Sequence, residues 1–259
     1  AKEKIRKFVL SPEEGVTDIP DNKTDKLLSA LEEVKICDPA IGSGAFPMGL
    51  LNELLHCREV LSGEHYDRAE IKKSIIHNNI YGVDIDKGAV DIARLRFWLS
   101  IVVDEETPSP LPNLDYKIMQ GNSLIESFRG VDLSNLTYKK ANKKDKAEML
   151  LFAEESKNLR IALSDQLSNY YSCSDHNRKI QLRRDINDTI NELLEAQFVD
   201  QSIVDELRGI NHAENDQFFL WHTWFSDVFN REDGKNGFDI VIGNPPYGAN
   251  IDELVPLYE

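Results

Sequence analysis

The segment GFDIVIGNPPYG, residues 237–248, places polar and aromatic groups directly after a short apolar run. We predict a buried strand that ends at Asn244 and is followed by Pro245, Pro246 and Tyr247. The two prolines fix φ and remove two N–H donors, so the carbonyl groups there stay rigid and free to accept hydrogen bonds. The Asn244 side-chain oxygen and the Pro245 carbonyl can then both accept from one amino group, while the Tyr247 ring offers a flat face. The pattern predicts a site that orients a planar amine towards an electrophile.

Two other interpretations fit the four letters of this motif. One is an NPxY adaptor ligand, but such ligands lie in disordered tails and not at the end of a buried strand. The other is a simple proline-rich turn without chemistry. The apolar run before Asn244 favours the amine site over both.

A second motif, VKICDPAIGSGAF at residues 34–46, has the pattern of a strand, a glycine-rich turn and a helix. Asp38 ends the strand, where a parallel sheet opens onto its ligand crevice. Gly42 and Gly44 let the backbone approach a ligand closely. A dinucleotide fingerprint would need a third glycine where Pro47 stands, and Asp38 would repel a pyrophosphate. A cationic nucleoside such as S-adenosylmethionine suits Asp38 better, and an ordinary glycine-rich turn is the alternative.

Polar residues also end two further strand-like runs. In NIYGVDID, residues 79–86, Asp84 is placed to accept from ribose hydroxyls, although Asp84 and Asp86 could instead cap the next helix. In YKIMQGNSL, residues 116–124, the Asn122 amide suits the edge of an adenine, and an Asn-Ser turn is the alternative. We expect no metal site, because no histidine or further carboxylate follows at ligand spacing.

The elements that position these motifs alternate between strands and helices. Strands are predicted near 34–37, 80–83, 116–119 and 238–242, and helices near 42–61, 68–77 and 89–103. This alternation predicts an α/β fold with a parallel sheet covered on both faces. Residues 1–33 are polar and interrupted by prolines, which predicts a loosely structured entry with a short helix from about Lys23.

The stretch 129–215 breaks this rhythm, because it holds no strand-like run and few glycines. One helix is predicted near 145–167, and a polar turn follows at 172–175. The second helix has one apolar face, made of Leu182, Ile186, Ile190 and Leu193. We expect an antiparallel helical hairpin that projects from the α/β core. It is either a solvated insertion or, because of the lysines within 139–146, an arm that contacts DNA or a partner.

Composition limits the classes of protein further. The chain has 259 residues, and its hydrophobic fraction of 41% is typical of a globular protein. Its net charge of −15 argues against a protein whose whole surface binds nucleic acid, because neutralising phosphates requires Lys and Arg. No apolar run is long enough to cross a membrane. Three separated cysteines predict a reducing, cytoplasmic compartment. Because the chain lacks an initiator Met and stops soon after residue 244, we expect a fragment of a longer protein.

The four motifs together resemble those of S-adenosylmethionine-dependent adenine-N6 DNA methyltransferases, above all the branch found in large bacterial restriction–modification polypeptides. DPAIGSGAF is similar to their cofactor motif, GVDID to their ribose-binding acid, GNSL to their adenine-edge motif and GNPPYG to their catalytic motif. AVDIARLRFWLSI and WHTWFSDVF also resemble this branch. The resemblance implies the N-terminal half of a Rossmann-like methyltransferase sheet with a helical-hairpin insertion. Its parts would be an N-terminal segment (1–33), a cofactor-binding part (34–128), the insertion (129–215) and a catalytic part (216–259).

The resemblance also implies roles for individual residues. The cofactor would be bound by Asp38, Pro39, Ala40, Gly42, Gly44, Phe46, Asp84, Ile85, Asn122 and Ser123. Within this set Asp38 and the turn hold the methionine part, Asp84 the ribose, and Ile85 and Asn122 the adenine. The catalytic residues Asn244, Pro245, Pro246 and Tyr247 would bind an adenine flipped out of the duplex. The chain departs from the family in two places, since Asn122 stands where Asp is frequent and FVLSP at 8–12 only loosely matches an aromatic-Thr-Pro segment.

The resemblance further implies that the full-length protein acts on double-stranded DNA, does not bind a membrane, and could carry a nuclease or recognition domain in the same polypeptide. Three alternatives stay open. A protein-glutamine N5 methyltransferase uses the same amine site, but the long insertion disfavours it. A catalytically silent DNA-binding or scaffold module of a defence complex has no need of Asp38, Asp84 and Asn244. A nicotinamide oxidoreductase is weakened by Pro47.

Overall fold

The computed structural model describes residues 2–63, 67–105, 113–134, 146–196, 200–229, 231 and 234–245, with the side chains of 146–156 left aside. Its helices are α1 (Lys2–Leu10), α2 (Pro12–Gly15), α3 (Asp21–Glu33), α4 (Ala45–Ser62), α5 (Arg68–Asn78), α6 (Lys87–Val102), α7 (Lys146–Ser172), α8 (His176–Glu195), α9 (Gln201–Arg208), α10 (Trp221–Trp224) and α11 (Ser226–Phe229). Its strands are β1 (Ile36–Asp38), β2 (Ile80–Asp84), β3 (Ile118–Gln120), β4 (Ser127–Phe128), β5 (Val131–Asp132) and β6 (Ile240–Val241). Within these ranges no helix has the length and apolarity that crossing a membrane requires.

Four of the strands form one parallel sheet, in the order β3-β2-β1-β6. Ile36 of β1 pairs with Ile80 of β2 on one side and with Ile240 of β6 on the other. Gly82 of β2 pairs with Ile118 of β3. Because parallel neighbours need crossover connections, the helices between these strands lie against the sheet. The predicted α/β fold with a parallel sheet is confirmed.

Both faces of the sheet are covered by helices. Alternate side chains of a strand point to opposite faces. Ile80 and Ile118 belong to an apolar cluster with residues of α4, α5 and α6, whereas Tyr81 and Met119 belong to a second cluster with residues of α7 and α8. The central strands are therefore apolar at nearly every position, as strands buried on both faces must be.

The helical hairpin exists, but it does not project from the core. Helices α7 and α8 are joined by a short turn, and the predicted apolar face of α8 is buried. This face lies in the same cluster as Tyr81 and Met119 of the sheet. The Tyr171 hydroxyl donates to the Tyr116 carbonyl at 2.8 Å, and Asn113 Nδ2 donates to the Cys173 carbonyl at 2.9 Å. The prediction that the hairpin projects from the core is wrong, because its apolar face shares the core cluster on one side of the sheet, where it is removed from water.

The N-terminal segment is also more ordered than predicted. Helices α1 and α2 occupy most of the stretch expected to be loosely structured, and Phe8 is completely buried. A Cβ on Gly15 would lie only 2.3 Å from the Phe8 Cα atom, so the two helices are in backbone contact. The prediction was wrong because this packing depends on one aromatic residue and one glycine, which leave little periodicity in the sequence. The helix expected from about Lys23 is α3.

The described part of the stretch 129–215 contains one strand where none was predicted. Val131–Asp132 pairs antiparallel with Ser127–Phe128. Arg129 and Gly130 between them both have positive φ, which makes the reversal tight. The pair is too short to leave an alternating pattern. The lysine-rich segment proposed as a DNA-contacting arm lies outside the described residues, apart from the backbone of Lys146.

Strand β6 is less buried than the sequence predicts. Ile240 and Val241 are 44% and 65% exposed. The reason is that β6 is the edge strand of the described sheet and pairs with β1 alone. The strand expected near 238–242 is therefore present at Ile240–Val241, but it is largely exposed.

Candidate functional site

The carboxyl ends of the four parallel strands bring the predicted motifs to one edge of the sheet. Asp38 at the end of β1 is paired with Gly82, and Asp84 at the end of β2 is paired with Gln120. Asn122 follows β3 by two residues, and Asn244 follows β6 by three. Residues separated by up to about 200 positions in the sequence thus share one crevice, as expected for the ligand edge of a parallel α/β sheet.

The turn after β1 wraps around the Asp38 carboxylate. Asp38 is only 2% exposed, and its Oδ1 atom accepts from the Ala40 N–H at 3.0 Å. Burial raises the pKa of Asp38, and the nearby charge of Asp84 raises it further. Gly42 and Gly44 have φ of +52° and +85°, which is the left-handed region where glycine is favoured. The glycines are therefore required by the shape of the turn itself.

Asp84 fixes the same turn from the neighbouring strand. Its Oδ2 atom accepts from the Gly42 N–H at 2.7 Å, and its Oδ1 atom accepts from the Asp86 N–H at 2.9 Å. Asp86, by contrast, caps helix α6 by accepting from the Ala89 N–H at 2.8 Å. The two acids thus have different structural partners, and the interpretation of both as helix caps is correct only for Asp86.

The loop after β3 forms the Asn-Ser turn that was considered as an alternative. Asn122 Oδ1 accepts from the Leu124 N–H at 3.2 Å, and the Asn122 carbonyl accepts from the Ile125 N–H at 3.1 Å. Among the described residues the Asn122 amide nitrogen has no hydrogen-bond partner. The turn and a ligand contact are therefore compatible, since the turn occupies the oxygen and leaves the two N–H donors.

Large apolar side chains lie exposed next to the strand ends. Phe46 is 46% exposed, Ile85 is 53% exposed and Leu124 is 68% exposed. They follow β1, β2 and β3, respectively, within eight residues. Exposed apolar side chains beside carboxylates provide contact surface for a ligand that has both flat apolar and polar parts.

The catalytic motif predicted by the sequence enters this edge beside Asp38. The Ile242 N–H donates to the Cys37 carbonyl at 2.9 Å, which extends the β1–β6 pairing. A Cβ atom on Gly243 would lie 2.8 Å from Asp38 Oδ1. Asn244 and Pro245 follow directly and are exposed. Pro246 and Tyr247 lie outside the described residues.

Phe219 and Trp221, which were not predicted to belong to the site, form hydrogen bonds with the loop after β3. The Phe219 N–H donates to the Ile125 carbonyl at 2.8 Å, and the Trp221 indole N–H donates to the Ser123 carbonyl at 3.1 Å. A Cβ on Gly121 would lie 2.5 Å from Phe219 Cδ2. The sequence signal for the Trp221 contact was the resemblance of WHTWFSDVF, residues 221–229, to the same branch of methyltransferases.

The two carboxylates at this edge are held by backbone N–H groups. In the described part of the chain there is no group of three or more His, Cys, Asp or Glu side chains that could hold a metal. Asp38 and Asp84 accept from backbone N–H groups, and no described cationic side chain forms an ion pair with either.

The parallel sheet, the glycine-rich turn after β1 and the acidic ends of β1 and β2 define a Rossmann-like methyltransferase sheet. The Eco57I restriction-modification methylase family model matches residues 78–255, and the model of the MmeI DNA-methyltransferase domain matches residues 16–109. The chain belongs to the Eco57I restriction-modification methylase family.

Two relatives extend the comparison. A predicted type II restriction enzyme and methyltransferase of Methanocaldococcus jannaschii is 28% identical over 270 residues, which cover 85% of this chain and 22% of the relative. The adenine-specific methyltransferase PglX of Lacticaseibacillus casei is 27% identical over 88 residues, which cover 34% of this chain and 7% of the relative. The chain therefore spans about a fifth or less of the length of these relatives.

Proposed function

We propose that this chain supplies the cofactor-binding edge and the catalytic motif of an S-adenosylmethionine-dependent adenine-N6 DNA methyltransferase. The observation that supports the proposal is the close approach of Gly243 to Asp38, because Asn244 and Pro245 follow Gly243 directly in the chain. An amine acceptor and a cofactor turn must adjoin if a methyl group is to pass from one ligand to the other.

The residues at the strand ends fit S-adenosylmethionine. Burial and the charge of Asp84 disfavour the ionised form of Asp38. A cationic ligand would offset this cost, because an opposite charge nearby favours the carboxylate. S-adenosylmethionine carries a sulfonium and an ammonium group, and it also has a ribose for Asp84 and an adenine ring for the exposed Ile85 side chain. In this assignment Pro39, Ala40, Gly42, Gly44 and Phe46 line the methionine side of the site, and Asn122 and Ser123 lie at the adenine edge.

In the bound state the cofactor supplies an electrophilic methyl group. The Asn244 side-chain oxygen and the Pro245 carbonyl accept from the N6 amino group of the target adenine, and Pro246 and Tyr247 complete the surface for its ring. These contacts would orient the nitrogen lone pair towards the methyl group. Bound S-adenosylmethionine would supply that methyl group from its sulfonium and leave as a neutral thioether, and the adenine nitrogen would release one proton to water. Catalysis in this proposal comes from positioning and from polarisation of the amine.

The target adenine must leave the base stack before Asn244 can reach its N6 atom. The substrate we propose is double-stranded DNA, bound by the complete polypeptide that contains this sequence. The names of the two relatives support adenine as the base and a restriction system as the setting.

The net charge of −15 indicates that most phosphate contacts come from parts of the polypeptide other than this chain, such as a recognition domain. Three free cysteines agree with action in a reducing, cytoplasmic compartment.

The test is transfer of a labelled methyl group from S-adenosylmethionine to DNA by the polypeptide that carries this sequence, followed by analysis of the nucleosides. We expect N6-methyladenine, and a loss of at least about a hundredfold in rate for Asn244→Ala. Asn236→Ala is the matched control, since Asn236 is also exposed and lies eight residues earlier. Transfer at the wild-type rate by Asn244→Ala would overturn the proposal. Label on glutamine of a protein would favour a protein-glutamine methyltransferase instead.

A further inference from the structure

Trp221 connects two parts of the site that are far apart in the sequence. Its indole N–H donates to the Ser123 carbonyl, which is 98 residues earlier in the chain. Its ring also packs edge-on against Phe219, with 4.8 Å between ring centroids, and against Phe238, with 6.2 Å. Phe238 lies two residues before β6, the strand that leads to Asn244. One half-buried side chain therefore contacts both the adenine-edge loop and the approach to the catalytic motif.

The adenine-edge loop, residues 121–126, depends on such contacts for its shape. Inside the loop only the short turn around Asn122 provides hydrogen bonds. Outside it, the chain from Phe219 to His222 runs alongside and supplies a backbone bond to Ile125 and contacts to Glu126. Burial raises the pKa of Glu126, and His222 opposes this by lowering the pKa. Two external bonds flank Asn122: the Gly121 N–H donates to the Asp84 carbonyl at 2.9 Å, and the Trp221 indole donates to the carbonyl of Ser123, directly after Asn122.

We propose that Trp221 is a positioning residue, which orients the Ser123–Leu124 peptide so that Asn122 can meet the edge of the cofactor adenine. This inference rests on the proposed function, because it assigns Asn122 to the adenine. The indole N–H fixes the Ser123 carbonyl, and the N–H of the same peptide, on Leu124, donates to Asn122 Oδ1 at 3.2 Å. Rotation of that peptide would therefore release the Asn122 side chain from its orientation. The aromatic packing of Trp221 alone would not set this rotation, since ring contacts are less directional than a hydrogen bond.

A neighbouring tryptophan provides a matched control. Trp224 is 3% exposed, and its indole nitrogen has no hydrogen-bond partner among the described residues. Its ring stacks on Tyr116, with 5.4 Å between centroids. Replacement of either tryptophan by phenylalanine keeps an aromatic ring, but only at position 221 does it remove a bond to the predicted site.

The experiment compares Trp221→Phe with Trp224→Phe in the polypeptide that carries this sequence. Calorimetry measures the Kd of S-adenosylhomocysteine and of S-inosylhomocysteine, in which hypoxanthine replaces adenine and changes only the base edge. We expect the wild type to prefer the adenosine ligand. Trp221→Phe should weaken binding of that ligand by about five- to tenfold, which is the loss of one hydrogen bond, and leave the inosine ligand within twofold. Trp224→Phe should change neither value beyond twofold.

Each outcome decides between distinct conclusions. If the wild type binds neither ligand, the proposed function fails, and this inference fails with it. If the wild type prefers the adenosine ligand and Trp221→Phe keeps that preference, the inference alone is wrong. Trp221→His retains a ring N–H and should restore part of the preference. If Trp221→Phe and Trp221→His both unfold, Trp221 supports the fold as a whole and is not a positioning residue.

Discussion

Gly243 and Asp38 approach each other so closely that a Cβ atom on the glycine would lie 2.8 Å from the carboxylate oxygen Oδ1. The contact joins the end of β1 to the residue before Asn244. Asp38 cannot easily move away, because it is almost completely buried and its Oδ1 atom also accepts from the Ala40 N–H. Because Gly243 has no side chain, the predicted cofactor turn and the predicted amine site can lie this close together.

Gly243→Ala should impair the site without unfolding the protein. The added methyl group must displace Asp38 or the backbone before Asn244, and small misplacements of reacting groups have large effects on rate. We expect methyl transfer to fall by about ten- to a hundredfold, with weaker S-adenosylmethionine binding measured by calorimetry. Gly49→Ala is the control, since a Cβ there meets no atom within 4 Å and alanine favours the interior of α4. Unchanged transfer by Gly243→Ala would show that the contact is not critical.

Asp84 and Asp86 should respond differently to the same change. Asp84→Asn removes the charge and one of the two oxygens that accept from Gly42 and Asp86. Because hydrogen bonds to charged groups contribute about 1.5–3 kcal/mol, the Kd for S-adenosylmethionine should rise by at least about tenfold. Asp86→Asn should change the Kd by less than twofold, since asparagine caps a helix as well as aspartate does. Equal Kd values for the two variants would remove Asp84 from the site.

The buried His212 should make stability depend on pH. His212 is 1% exposed, its Nε2 atom lies 2.9 Å from Asn191 Oδ1, and burial lowers its pKa to about 4. The unfolded chain binds a proton near pH 6.5, whereas the folded chain does so only near pH 4. The free energy of unfolding should therefore decrease as the pH falls below 6.5, by about 1–2 kcal/mol at pH 5 from this residue.

Urea denaturation at pH 7.5, 6 and 5 measures this effect. His212→Gln should be less stable than the wild type at pH 7.5 but should show a shallower decrease towards pH 5. His176→Gln, at the exposed start of α8, is the control and should retain the slope of the wild type. An identical slope for His212→Gln and the wild type would exclude His212 as the source of the pH dependence.

Local patterns in the sequence were sufficient to predict the α/β fold and most of its elements. The helix predicted at 68–77 is Arg68–Asn78, and the strand predicted at 80–83 is Ile80–Asp84. Strand β2 is an apolar run, and helix α5 has a clear cap at Asp67. The motifs could be assigned to strand ends for the same reason. The roles of the individual site residues stay predictions until binding and methyl transfer are measured.

Hydrophobic periodicity and strand-end chemistry in the sequence by themselves determined a parallel sheet with Asp38, Asp84, Asn122 and Asn244 at its carboxyl edge. Three features became apparent only in the tertiary structure: the apolar face of the hairpin joins the core cluster on one side of the sheet, Asp84 and not Asp86 fixes the glycine-rich turn, and Trp221 reaches Ser123. The reason is that hydrophobic periodicity in the sequence indicates which face of a helix or strand is apolar, but it does not indicate which other element packs against that face. Contacts between residues about a hundred positions apart, such as Trp221 and Ser123, depend on how whole elements pack. A local sequence pattern cannot predict them.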